Sequence, residues 1–311
     1  MHIGIMLEGQ MGLNWPRWKA ILQAAEDFGF QHVFRSDHIV NPTPPDEDSL
    51  ELWVSLTYAA SHTKRIEFGP MVAPVTFRHP VMTARMAAQI DDLSGGRLVL
   101  GLGAGWNERE HHDYGIPFYD MKTRFEMLHD ALEITSHLFN SNAPVTYDGP
   151  HFSLHDAMLL PRPQRAGGPP ILIGGRGPKK SLPLTAKYAR EWNYAFSSIE
   201  TFKTTNALLT DLIIQEGRAP TDVKRSVATH AVFGKNEADL KDKLQRAGVS
   251  TTTDLWTQGH TVGTASEFIE HVHQWQDAGV ERLLLQWLDL DDLAGLEMIA
   301  RDVLPHFHTN A

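Results

Sequence analysis

The stretch "RLVLGLGAGWNEREHHDYG", residues 97–115, decides how the rest of the chain is read. An apolar run of strand character leads into glycines at alternate positions, Gly101, Gly103 and Gly105. Trp106 follows, then a cluster of charge and histidine. A dinucleotide-binding turn asks for GxGxxG after the first strand of a βαβ unit. Here the sixth position is Trp106 and the strand is fourth in order, so that reading is poor. A metal site asks for convergent ligands, but adjacent His111 and His112 point in different directions on a helix or turn. A solvated loop is the plainer account of that charged run. Alternate glycines do allow a ring or backbone to approach strand ends closely, with Trp106 as an aromatic wall.

Outward from this stretch, short apolar runs alternate with helix-length amphipathic ones. The strand candidates are "HIGIML" (2–7), "HVFRS" (32–36), "IEFGPMVAP" (66–74), "RLVLGLG" (97–103), "PILIGG" (170–175), "EWNYAF" (191–196), "VATHAVFG" (227–234) and "ERLLLQWL" (281–288). Helices are predicted over 15–29, closed by Gly29, and over 80–93. Another carries Leu52, Trp53, Leu56 and Ala60. A fourth, 121–139, sets Met121, Phe125, Leu128, Leu132 and Phe139 on one face. Thr264 and Glu267 have capping-box spacing, and Pro305 stops the last helix, which starts near 291. Eight strand–helix alternations predict an α/β fold, a parallel (β/α)₈ TIM barrel, as a single domain over 1–311. A doubly wound sheet is the rival, but nothing in the sequence marks its edge. Residues 140–169 and 250–263 are expected to be insertions on the barrel rim.

Bulk composition narrows the function. Apolar residues make up 42% of the 311, enough for a packed core. The formal charge of −10 argues against nucleic acid and anionic membrane partners. The absence of cysteine removes disulfides, thiolate metal sites and a cysteine nucleophile. The opening "MHIGIMLEGQ" lacks a basic n-region and long apolar run, and no run reaches the roughly 18 residues of a membrane span. A cytoplasmic enzyme acting on a small molecule, with no metal, is the expectation.

A barrel places its chemistry at the C-terminal strand ends. Those ends carry Glu8, Asp37 and His38, Met71 to Ala73, Gly103 to Asn107, Gly174 to Gly177, Ser197, and Gln286 with Trp287. His230 lies within strand seven, with no direction assigned. "SDHI" (36–39) holds the reactive candidate, because histidine exchanges protons near neutral pH. His38 is singled out from 17 histidines by position alone. "GGRGPKK" (174–180) follows a strand and precedes a helix. Backbone N–H groups there, with Arg176, Lys179 or Lys180, would make an anion site. Pro183 is harmless only if it falls in the first helical turn.

These segments, in this order, resemble the bacterial luciferase-like flavin and deazaflavin oxidoreductases. The resemblance spans nearly the whole chain, through "SDHI", "EFGPMVAPVTFRHPVMTARMAAQIDDLSGGRLVLGLGAGWNEREHHDYGIPF", "PPILIGGRG" and "VGTASEF". The subgroup it is most similar to uses coenzyme F420, a 5-deazaflavin. It implies an F420-dependent oxidoreductase with His38 as catalytic acid or base. It places Asp37 and His38 near the ring and a non-prolyl cis peptide between Met71 and Val72. Phosphate contacts would fall on Gly103, Ala104 and Gly105, and on Gly174, Gly175, Arg176 and Gly177. Trp106, and also Trp53, would be pocket walls. Sugar-phosphate dehydrogenases of the family align a carboxylate with Trp106, so glucose-6-phosphate oxidation is not implied. Arg176 stands where glycine is common. The alternatives are an FMN-dependent monooxygenase fed by a partner reductase, and a non-catalytic flavin-binding protein. A homodimer is the family expectation. Substrate identity and reaction direction are left open.

Overall fold

The computed structural model describes residues 1–246 and 252–308. The chain runs β1 (His2–Leu7), α1 (Trp15–Phe28), β2 (His32–Arg35), α2 (Leu52–His62), β3 (Glu67–Pro70), β4 (Ala73–Pro74), α3 (Pro80–Leu93) and β5 (Leu100–Gly103). It continues through α4 (Glu108–Asp113), α5 (Met121–Asn140), β6 (Val145–Asp148), β7 (Ser153–Ala157), β8 (Ile171–Gly174), α6 (Ser181–Tyr188), β9 (Glu191–Ala195) and α7 (Ile199–Gln215). The last part is β10 (Lys224–Phe233), α8 (Glu237–Arg246), α9 (Thr252–Thr257), β11 (Thr261–Gly263), α10 (Ala265–Asp277), β12 (Arg282–Gln286) and α11 (Leu293–Asp302).

Nine parallel strands follow one another as β3-β2-β1-β12-β10-β9-β8-β5-β4. The two ends of this path meet. Phe68 N donates to Arg97 O at 3.1 Å and Val99 N to Phe68 O at 2.9 Å, beside a Phe68–Leu98 bridge. β3 and β4 therefore occupy one position in the ring, and the sheet is a (β/α)₈ barrel. The sequence reads 66–74 as one strand. The structure divides it at the cis peptide between Met71 and Val72.

Alternation along each strand separates two cores. Ile3, Ile5 and Leu7 face the helices, in one large cluster with Trp18 and Ile21 of α1. Met6, Phe34, Met71, Val99, Leu172, Ala228 and Leu284 fill the inside of the ring. Local signals set the helices. Asn14 caps α1 by accepting from Arg17 N, and Gly29 ends it at φ 88°, where a side chain would be strained. At the start of α10 the Glu267 carboxylate reaches back to accept from Thr264 N at 2.9 Å and Thr264 Oγ1 at 3.2 Å.

Two rim insertions carry secondary structure of their own. Residues 140–169 hold an antiparallel pair, β6 and β7. The 250–263 stretch holds α9 and β11, and β11 extends the sheet beside β10. Its residues 250 and 251 lie outside the described residues. Met121 does not join the buried face of α5, for it is 66% exposed at the helix start. Among the described residues, no helix is long and apolar enough to cross a membrane.

Candidate active site

The alternate glycines face the cis peptide. A Cβ on Gly101 would lie 2.2 Å from Pro70 O and 3.1 Å from Val72 Cγ1. A Cβ on Gly103 would lie 2.5 Å from Val72 Cγ2. The glycines admit the Val72 side chain between the β5 backbone and the barrel mouth.

Above this seam is a cavity of about 530 Å³. His38, Met71, Val72, Gly103, Ala104, Gly105, Trp106, Gly174 and Gly175 line it, joined by Pro74, Glu110, Met121, Arg124, Phe125 and Ser181. Segments far apart in sequence thus meet in one place: the ends of β2, β5 and β8, the cis bond, and the starts of α5 and α6.

His38 is held by a partner that the sequence reading left in a solvated loop. Residues 108–113 instead form α4, and Glu110 on it is 1% exposed. His38 Nδ1 lies 3.0 and 3.1 Å from the two Glu110 carboxylate oxygens, and Ile39 N donates to Oε2 at 3.1 Å. A carboxylate only accepts, so Nδ1 carries the proton and Nε2 is the nitrogen free to exchange one. Burial works against the charged ring, but the Glu110 hydrogen bond and charge outweigh it, and the His38 pKa is raised. Trp106 meets the imidazole edge-on, with centroids 5.2 Å apart. Further bonds pin α4 to the loop after β2. Asn107 Nδ2 donates to Val40 O at 3.3 Å, and Arg109 donates to Asn41 O and to both Asp46 oxygens.

Asp37 turns away from the cavity. Arg78 grips its carboxylate with Nη1 at 2.5 Å and Nη2 at 3.2 Å, and also reaches Glu51 at 2.8 Å. Burial pushes Asp37 up to about 6 against the pull of Arg78. Arg35, two residues earlier at the end of β2, is buried too. It donates to Ser36 O, Leu50 O and Ser55 Oγ, and burial lowers it to about 10. These arginines lock the backbone that presents His38.

His111 is fully buried and structural. Its Nδ1 donates to Asn107 O at 2.7 Å, which leaves Nε2 to accept from Thr76 Oγ1 at 2.8 Å. His112 is exposed, so the two rings do diverge. Among the described residues, no group of three or more His, Cys, Asp or Glu is placed to hold a metal ion.

The basic residues of "GGRGPKK" do not line the cavity. Arg176, Lys179 and Lys180 are exposed. Gly177 does not open the helix: α6 begins at Ser181, which puts Pro183 in its first turn. The cation that lines the cavity is Arg124, at the start of α5. It hydrogen-bonds to Gly105 O, and its guanidinium lies 4.4 Å from the Phe118 ring. Trp53 is no wall either, being 4% exposed in the core beneath α2. Glu110 and Arg124 escaped the sequence reading because neither sits at a strand end. The one available signal was their place at the first turns of the helices after strand four.

Comparison with known proteins agrees with this architecture. Residues 1–292 match the family described as luciferase-like monooxygenase. The chain belongs to the luciferase-like monooxygenase family. This family member is 27% identical to a 4-hydroxyprotoasukamycin monooxygenase of Streptomyces nodosus subsp. asukaensis, over 96% of this chain and 88% of that one. It is also 27% identical to an F420-dependent hydroxymycolic acid dehydrogenase of Mycobacterium tuberculosis, over 92% and 75%. Its fold matches the coenzyme F420-dependent tetrahydromethanopterin reductase of Methanopyrus kandleri with a TM-score of 0.83 at 19% identity, covering 99% of this chain and all of that one. The luciferase-like family is one of oxidoreductases and monooxygenases, and F420-dependent enzymes are among its members.

Proposed function

We propose that this protein is an F420-dependent oxidoreductase that transfers hydride between a 5-deazaflavin and a small organic substrate. The observation that carries the proposal is His38, held through Nδ1 by buried Glu110 at the edge of the glycine-lined cavity. The F420-dependent mycobacterial relative supports it.

The residues present fit such a cofactor. A flat ring needs a surface without bulk, and the cavity offers Gly103, Gly174 and the Val72 face. A phosphate needs donors and positive charge. Ser181 at the start of α6 and Arg124 would supply those, beside the Gly174–Gly175 turn, which leaves room for the group. When bound, the deazaflavin supplies hydride exchange at its C5.

The protein's own part is to orient and to move one proton. His38 Nε2 gives or takes that proton while Glu110 steadies the imidazolium through Nδ1. Trp106 covers one edge of the ring and limits its rotation. Arg78 and Arg35 hold the strand end still.

A paired fluorescence titration of the purified protein with F420 and with FMN tests this. Tighter binding of F420 is expected. Tighter binding of FMN would move the assignment to a flavin monooxygenase, the activity named for the Streptomyces relative. Binding of neither would remove both readings.

A further inference from the structure

The strand ends divide the barrel mouth into two halves. The cavity described above draws on β2, the β3–β4 junction, β5 and β8. The ends of β1, β12, β10 and β9 carry a second cluster: Glu8, Gln286, His230 and Phe196, with His260 just before β11. Phe196 has φ 49°, a conformation that side chains of its kind rarely adopt. In that conformation its ring stacks on His230, with centroids 4.5 Å apart and planes 24° apart. His260 meets the same imidazole edge-on at 4.6 Å. Gln286 pairs in register with His230, and its Nε2 donates to Glu8 at 2.6 Å. Gln286 is 4% exposed, and its amide also faces the His230 ring.

The cluster carries no positive charge. Burial lowers His230, and burial together with its neighbour His230 lowers His260 to about 4, so both rings are neutral at pH 7. The segments 8–10, 196–198, 228–232, 258–261 and 286–288 contain no lysine or arginine. Glu8 raises the pKa of both His38 and His230, so its negative field reaches both halves of the mouth. An anion here would lose water and gain no cation. A flat neutral molecule would meet three rings and the carboxylate and amide oxygens of Glu8 and Gln286.

We propose that Phe196, His230 and His260 seat the flat, uncharged part of the substrate, with Glu8 and Gln286 Oε1 accepting its hydrogen bonds. The substrate class is then neutral aromatic or conjugated carbonyl and hydroxyl compounds, not phosphates or carboxylates. This rests on the oxidoreductase reading of the adjoining half.

The test is calorimetric titration of the protein, first equilibrated with F420, using menadione as a flat neutral probe and 2-naphthoate as a flat anionic one. Menadione is expected to bind at least about tenfold more tightly. Phe196→Ala should weaken menadione binding by about tenfold, and Phe196→Leu by less, with F420 affinity unchanged in both. Naphthoate binding as tightly as menadione would overturn the proposal. So would undetectable menadione binding, or unchanged menadione affinity in both variants. F420 is titrated separately. Loss of F420 binding with the menadione preference intact would sink the cofactor reading and support the seat.

Discussion

Glu110 Oε1 lies 3.0 Å from His38 Nδ1, although 72 positions separate the two residues. The carboxylate also accepts from Ile39 N, so one buried side chain fixes the ring's tautomer and the backbone behind it. The contact raises the His38 pKa. Glu110→Gln keeps the shape and removes the charge, so His38 should titrate at lower pH. Histidine NMR titration, with the His38 signals assigned by their loss in His38→Asn, reads this directly. The sign for stability follows. A histidine with a raised folded-state pKa contributes stability that is fully present below its unfolded value near 6.5 and is lost as pH rises through the folded value. Glu110→Gln should therefore cost most below pH 6.5, on the order of 1.5–3 kcal/mol for a charged hydrogen bond. The cost should shrink at pH 9 in urea unfolding. A pH-independent cost would mean that Glu110 only fills space.

His38→Ala should lower turnover far more than cofactor affinity. Loss of a general acid or base costs roughly 10²–10⁴ in rate, whereas Trp106 and the glycine floor remain to hold a ring. Steady-state kcat and a separate F420 titration resolve the two effects. Equal losses in both, or none in either, would sink the assignment of His38.

The close approach of β5 to the cis-peptide seam predicts an order among two glycine variants. In Gly101→Ala the new methyl meets Pro70 O, a backbone atom that cannot swing away, at 2.2 Å. In Gly103→Ala it meets the Val72 side chain at 2.5 Å. Both should destabilise, by about 1–3 kcal/mol typical of overpacking, and Gly101→Ala should cost more. Denaturant midpoints compare them. The reverse order would show that Val72 resists displacement more than the strand does.

How much of this was legible follows from which interactions are local. β1, β8 and β12 are built around continuous apolar runs, and the reason is physical: a strand covered on both faces needs no polar alternation. The helix ends at Gly29 and Thr264 rest on contacts within a few residues. β7 was missed because only Leu154 of its five residues is buried, so it shows no pattern. Glu110 was missed because "EREHHD" has the composition of solvent-facing chain. Its burial depends on His38 and Ile39, which the barrel brings to it in the loop after β2. Arg176 shows the opposite error. Its charge and glycine neighbours suited an anion site, but the turn leaves the side chain outside the cavity.

The Asp37–Arg78 pair predicts a pH-dependent variant. Asp37 is 6% exposed, and burial has already raised its carboxyl to about 6 with Arg78 in place. Arg78→Met would strand a buried charge, a change that costs about 3–5 kcal/mol. An acid whose folded pKa is raised loses stability as pH climbs from the unfolded value near 3.8 through the folded one. The variant's deficit should therefore be large at pH 8 and smaller at pH 5, where Asp37 can take a proton. Unfolding in urea at the two pH values measures it. A deficit that grows toward pH 5 would show that Asp37 is not the group responsible.

Two arginines give opposite predictions for cofactor binding. Arg124 lines the cavity and hydrogen-bonds to Gly105 O, with its guanidinium against Phe118. Arg176 sits in the more suggestive sequence but is exposed and off the cavity wall. A charge-assisted bond to a phosphate is worth roughly 1.5–3 kcal/mol, so Arg124→Ala should weaken F420 binding by about 10- to 100-fold. Arg124→Lys should recover only part of this, because an ammonium cannot hold the Gly105 carbonyl and a phosphate in one planar fork. Arg176→Ala should change the affinity by less than about threefold, since an exposed charge is screened by water and salt. Fluorescence titration of the three variants in parallel decides the matter. A larger loss in Arg176→Ala than in Arg124→Ala would move the anion site back to the turn after β8 and leave Arg124 as a clamp on Gly105 alone.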